Sequence, residues 1–173
     1  MKILIISDTH GYLDKSIMKH ISEADEVWHA GDVGNIELLD KIKKLKPLIA
    51  VYGNIDGSDI RTEYPENELF TRDGLKILMT HIAGYPSKYN SRAKKIILDN
   101  KPDLVVCGHS HILRIMRDKE LNHIHINPGA CGIYGFHAVR TIVKFEINSS
   151  KIENVAIIEL GKRSAIPQPS ENT

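Results

Sequence analysis

No apolar stretch in this 173-residue sequence is long enough to cross a bilayer, so a membrane-spanning helix is not expected. The apolar run at the N-terminus stops at Ser7, too short for the core of a signal peptide, and a cytoplasmic protein is expected. Cysteine is scarce. Cys107 and Cys131 are too few for the paired framework of a secreted domain and fit a reducing compartment. An excess of one charge is lacking as well: 23 Lys and Arg face 22 Asp and Glu. That balance leaves no basic footprint for nucleic acid and no polybasic patch for a membrane surface. Neither an internal repeat nor a linker is evident. The length suits one buried core, so a single domain over 1–161 is expected, with the proline-containing, polar 162–173 as a frayed tail.

Glycine-punctuated apolar runs dominate what is there. Lys2 to Ile6 reads as a strand buried on both faces, and its loop carries Asp8 and His10, two residues apart and able to converge on one cation. Leu13, Ile17 and Ile21 space a short helix over Leu13 to Ser22, with Asp14 near its start. A second strand, Glu26 to Ala30, runs into Gly31-Asp32. Asn35 caps a helix with Ile36, Leu39, Ile42 and Leu45 on its apolar side and lysines toward its end, closed by Pro47. Leu48 to Tyr52 is a third strand, ending at Gly53-Asn54.

The pattern then changes. Asp73-Gly74 is a hairpin signal between Glu63 to Phe70 and Leu75 to Thr80, and the second of these strands ends at His81. A helix over Tyr89 to Asn100 is followed by the strand Asp103 to Cys107, which runs into Gly108-His109-Ser110-His111. Leu113 to Arg117 and His123 to Ile126 are further strands before Asn127-Pro128-Gly129, and Val139 to Ile147 with Ile152 to Glu159 form a last hairpin.

Seven polar residues thus follow strands: Asp8, His10, Asp32, Asn54, His81, His109 and His111. Open α/β sheets build their sites at such strand ends. Mixed nitrogen and oxygen donors suit Mn, Fe, Co, Ni or Zn better than Ca or Mg. Seven donors exceed one tetrahedral site and suit two ions sharing a carboxylate, the arrangement used in phosphoester hydrolysis.

In this order, D-x-H, G-D, G-N, H and G-H-x-H resemble the calcineurin-like metallophosphoesterase superfamily. The shortness of the chain, Gly53-Asn54-Ile55-Asp56 in place of G-N-H, and Asn127-Pro128-Gly129 make it similar to the YfcE/MJ0936-like phosphodiesterases, whose relatives include the retromer subunit VPS29. The resemblance, covering roughly residues 1–160, implies a four-layer αββα sandwich with mixed sheets. It implies that Asp8, His10 and His111 hold one metal, Asn54, His81 and His109 the other, and that Asp32 bridges them. Manganese is the first expectation for both ions. A bridging water or hydroxide would attack phosphorus in line, and Asp32, Asn54 and His109 would bear directly on catalysis. Ile55 stands where the superfamily has a His thought to assist the leaving group, and an aliphatic side chain donates no proton. Ile82 and Ala83 also depart from the glycine that relatives usually carry after the metal-binding His.

The expected activity is therefore dinuclear phosphodiester hydrolysis on a small-molecule phosphate ester. The alternative is a VPS29-like protein-interaction scaffold with weak or no catalysis; a simple metal-binding or nucleic-acid module fits the balanced charge less well. A homo-oligomer is compatible with the sequence. His29 is read as a core residue or a support behind the ligands, Trp28, Cys107 and Cys131 as packing residues, and His20, His123 and His125 as surface or strand residues. Tyr134 and His137 are read equally as pocket-facing or as part of a glycine-rich surface loop.

Overall fold

The computed structural model describes residues 1–165. The first half of the chain alternates strand and helix: β1 (Lys2–Ile6), α1 (Lys15–Glu23), β2 (Glu26–His29), α2 (Ile36–Lys43), β3 (Leu48–Ala50) and α3 (Ser58–Glu63). The second half holds β4 (Asn67–Arg72), β5 (Leu75–Thr80), α4 (Ser91–Asn100), β6 (Leu104–Val106), β7 (Leu113–Asp118), β8 (His123–Pro128), β9 (Val139–Asn148) and β10 (Lys151–Lys162). One sheet has the order β10-β9-β1-β2-β3 and the other β4-β5-β6-β8-β7. Within them β1, β2 and β3 run parallel, as do β5, β6 and β8, while β9 and β10 and the hairpin partners β4 and β7 pair antiparallel.

Burial explains the unbroken apolar runs. Ile3 and Ile5 of β1 point into the space between the sheets, with Trp28, Phe145, Ile77, Met79, Val106 and Ile126. Leu4 and Ile6 point the other way and pack on Ile17, Ile21, Leu39, Ile42 and Ile60 of α1, α2 and α3. On the far side, Ile97 of α4 covers Leu78 and Val105. The result is the four-layer αββα sandwich. Burying Ile17 and Ile21 contributes about 1.5–3 kcal/mol each, and Asp14, Asn35 and Asn90 each cap a helix by accepting a backbone N–H, worth about 1 kcal/mol apiece.

Several boundaries differ from expectation. Helix α3 replaces the start of the strand expected from Glu63, because Ile60 and Tyr64 bury against the α-side core while β4 begins at Asn67. Leu45 lies beyond α2 and is exposed, Leu38 taking the buried place instead. Strand β8 runs through Pro128, whose pairing partner is Leu113. Strand β10 continues through Lys162, and a 3-10 turn follows at Arg163–Ala165, where Arg163 Nε donates to the His137 carbonyl. The remainder of the expected tail, 166–173, lies outside the described residues.

Candidate metal centre

Because β1, β2, β3, β5 and β6 point the same way within each sheet, their carboxyl ends present the loops to one edge. Backbone bonds fasten these loops together: Asp8 N–H donates to Gly31, His10 N–H to Asp32 and Gly11 N–H to Val33. Gly132 N–H, from the loop after β8, donates to Asp8. Asp8, His10, Asp32, His109 and His111 all sit at φ between 46° and 68°. Left-handed backbone at an ordinary residue costs on the order of 1–3 kcal/mol. Five such residues in one site show that the surrounding hydrogen bonds, not local preference, set the loop conformations.

Two groups of donors form. Asp8, His10 and His111 bring their ligand atoms within 4.8 Å of one another, and Asp32, His81 and His109 do the same. Asp32 stands between them, its Oδ1 3.2 Å from His81 Nε2 and its Oδ2 3.8 Å from His10 Nε2. Asp8 Oδ1 lies 3.2 Å from His111 Nε2 and 4.0 Å from His81 Nε2, while its Oδ2 accepts from His109 N–H. Among the described residues, Asp8 Oδ1, His10 Nε2 and His81 Nε2 are buried without a hydrogen-bond partner. Leaving such atoms unsatisfied costs about 1–3 kcal/mol each, and a cation seated among them removes that cost. The donor set therefore fits divalent metal.

Asn54 is exposed on the rim of a cleft of about 470 Å³ that it shares with Asp32 and His109. Its side chain makes no hydrogen bond among the described residues, and it lines the same cleft as His10, Asp32, His109 and His111. Arg61 anchors the Asn54 backbone by donating to the carbonyls of Gly53 and Asn54. Gly53 has to be glycine, because a Cβ there would run into the Asp32 carboxylate.

Electrostatics sorts the imidazoles. Burial acts to lower the His81 pKa, but the Asp32 carboxylate and the charge of Asp8 outweigh it and raise it above 6.5. Burial likewise acts to raise Asp32, yet His81 and the Ile55 N–H hold it below the usual carboxylate range. His10 is lowered, chiefly by burial.

Support behind the ligands escaped the sequence reading in part. His29 links two of the loops that carry candidate ligands: Gly31 N–H donates to its Nδ1 and its Nε2 meets Thr9 Oγ1 at 2.8 Å. Asp56, given no role from sequence, accepts from Gly34 N–H and Gly53 N–H and fixes the turns carrying Asp32 and Asn54. Asn127 donates to the Gly108 carbonyl and Ser110 Oγ, steadying the turn of His109 and His111. Its place in Asn127-Pro128-Gly129, at the carboxyl end of β8, was the available signal. His137 faces the site, whereas Tyr134 is half exposed, its ring in an edge-type contact with that of His10 at 6.4 Å between centroids.

A family model for the calcineurin-like phosphoesterase superfamily domain matches residues 1–150. A probable metallophosphoesterase of Methanocaldococcus jannaschii, MJ0623, is 30% identical over 136 residues, covering 75% of this chain and 68% of that protein. A structure described as a novel archaeal phosphodiesterase is 28% identical with a TM-score of 0.72, covering 92% of this chain and all of that one. Vps29 of Entamoeba histolytica, solved with zinc, shares the fold at a TM-score of 0.72 and 18% identity, over 93% of this chain and 99% of the other. The chain belongs to the calcineurin-like phosphoesterase superfamily.

Proposed function

We propose that this protein is a dinuclear metal-dependent phosphodiesterase acting on a small-molecule phosphate ester in the cytoplasm. The observation that carries this reading is Asp32, whose two oxygens face different histidines in two donor groups that each contain buried, unpartnered atoms. Asp8, His10 and His111 would hold one ion, His81, His109 and Asn54 the other, with Asp32 shared and manganese as the metal. Divalent ions bound there supply an acidified water for attack on phosphorus and positive charge for the phosphoryl oxygens.

The chain's own residues prepare that chemistry. The Ile55 N–H, 3.1 Å from Asp32 Oδ1, orients the shared carboxylate. Asn127 holds the His109 turn so that the exposed His109 imidazole faces the open cleft. The Ile55 side chain lies at the same cleft and offers the leaving group no proton.

A second reading, a protein-interaction scaffold, draws on the fold shared with Vps29 and on Phe136, fully exposed at the cleft beside the half-exposed Ile112. Such a scaffold has no chemical use for clustered unpartnered imidazoles, and the enzyme is favoured. The test is His109→Ala, which leaves the neighbouring core Leu104 to Cys107 intact. Hydrolysis by metal-loaded protein should fall on the order of a hundred-fold or more, with little change in metal-free melting temperature. Unchanged hydrolysis of every diester that the parent cleaves would remove this site from the reaction and bring the scaffold forward.

A further inference from the structure

Next to the His109 turn lies a second pocket of about 340 Å³, lined by Gly84, Tyr85, Lys88 and Tyr89 together with Arg114 and His125. It shares His109, Ser110 and Ile112 with the metal-facing cleft, so the two spaces adjoin across one turn. Nothing in its lining carries a negative charge.

Arg114 sets this pocket apart. Its guanidinium lies over the Tyr85 ring, 4.1 Å from the centroid, and it is the one arginine among the described residues that makes no hydrogen bond to protein. The other arginines near the site are occupied. Arg92 pairs with Glu66 and bonds to Asn67 and the Ile82 carbonyl, and Arg61 is bound to three backbone carbonyls. Stacking on Tyr85 restrains the guanidinium plane while leaving its N–H fork free, the geometry that suits an oxyanion. Lys88, exposed at the same pocket, adds a second cation with no acidic partner among the described residues. Behind them Tyr89 Oη is engaged by His123 Nε2 at 2.8 Å and His125 Nδ1 at 3.1 Å, and burial pushes His125 down to about 4, so the back wall is uncharged at neutral pH.

We propose that this pocket is a subsite for a second anionic group, a phosphate or a carboxylate, held by Arg114 and Lys88, and that the preferred substrate is a phosphodiester carrying a further negative charge on its alcohol portion. The substrate assignment rests on the hydrolase reading; anion binding by the pocket does not.

Both halves are tested on the full chain. Three p-nitrophenyl diesters are compared with metal-loaded protein: one with a neutral butyl alcohol, one with a terminal carboxylate on it, and one with a terminal phosphate. A charged ester should exceed the neutral one in kcat/KM by about tenfold or more, the scale of one charge-assisted hydrogen bond, mainly through KM. The ester preferred identifies the anion. Arg114→Gln should bring the ratio to about one, and Lys88→Gln should lower it in part; using a ratio cancels any general loss of folded enzyme. Separately, metal-free protein is titrated with inorganic phosphate and with acetate while backbone amide resonances are followed. Shifts are expected at Tyr85, Lys88 and Tyr89, and should vanish in Arg114→Gln. Hydrolysis with no preference among the esters, or amide shifts absent or indifferent to Arg114→Gln, overturns the subsite. If no ester is cleaved while the Arg114-dependent shifts appear, the hydrolase reading falls and the anion pocket stands.

Discussion

His137 and His111 meet through their Nδ1 atoms at 3.3 Å, while His137 Nε2 lies 3.1 Å from the Gly132 carbonyl. A carbonyl only accepts, so the Nε2 of His137 must carry the proton, and in neutral His137 the Nδ1 is then an acceptor. His111 accordingly donates from Nδ1, which leaves its Nε2 lone pair aimed at Asp8 Oδ1, 3.2 Å away. His81 follows the same logic through its Nδ1, 2.7 Å from the Ala30 carbonyl. In each case a lone pair faces a carboxylate oxygen, which is favourable only with a cation or a proton between them.

His137 is therefore expected to position a ligand rather than touch substrate. Replacing it with Ala should weaken metal binding by about 10–100-fold, the scale found when partners behind metal ligands are lost. Titration with Mn²⁺ followed calorimetrically checks this; an unchanged affinity would mean His111 needs no such partner.

Asp32→Asn should reduce the metal content from two ions per chain, because both donor groups lean on that carboxylate. Elemental analysis after saturation with Mn decides it. A wild type that takes up one ion, with the variant unaffected, would rule out the shared-carboxylate arrangement.

Ile55 at the cleft predicts a leaving-group effect. Aryl diesters, whose leaving oxygen needs little protonation, should be cleaved with kcat/KM on the order of a hundred-fold or more above alkyl diesters, the span a general acid would otherwise supply. Rates across leaving groups of graded pKa, with chemistry rate-limiting, test this. A flat series points to a proton donor elsewhere in the site.

Acid should destabilise the metal-free fold through histidines buried as neutral bases. Burial lowers both His29 and His125 to about 4, against 6.5 when free. Between those values the unfolded chain takes up protons that the folded chain refuses, so stability present above pH 6.5 is lost as pH falls toward 4. His81, raised above 6.5, contributes oppositely: its stabilisation is complete below 6.5 and fades as pH rises through its folded value. The two buried histidines should dominate, lowering stability by on the order of 2 kcal/mol each by pH 5. Melting of metal-free protein at pH 7 and pH 5, repeated with His125→Asn, measures it. An equal drop in the variant would remove His125 from the account.

Much of the candidate site was legible because parallel strands impose a rule. Each unbroken apolar run such as Lys2 to Ile6 or Leu104 to Val106 must be buried on both faces, and the polar residues after each then reach the same edge. Asp8, His10, Asp32, His81, His109 and His111 meet for that reason, although about a hundred positions separate the first from the last. The Asp73-Gly74 turn was legible too, both residues having positive φ between paired Arg72 and Leu75. Helix α3 was hidden, since six residues with only Ile60 buried carry no periodicity to read.

What the sequence determined alone is thus the alternation of buried strands and helices, the strand ends that gather polar residues and the types of donor brought there, since these follow from local burial pattern and turn chemistry; the layering came from the family resemblance. Only the tertiary structure decided that Asn54 stands on the rim, that His137 meets His111 and that Arg114, stacked on Tyr85, makes no hydrogen bond among the described residues. Those outcomes depend on distances between loops from different strands, set by sheet order and by hydrogen bonds such as Asp8 N–H to Gly31 and His109 N–H to Asp8, which no local stretch of sequence contains.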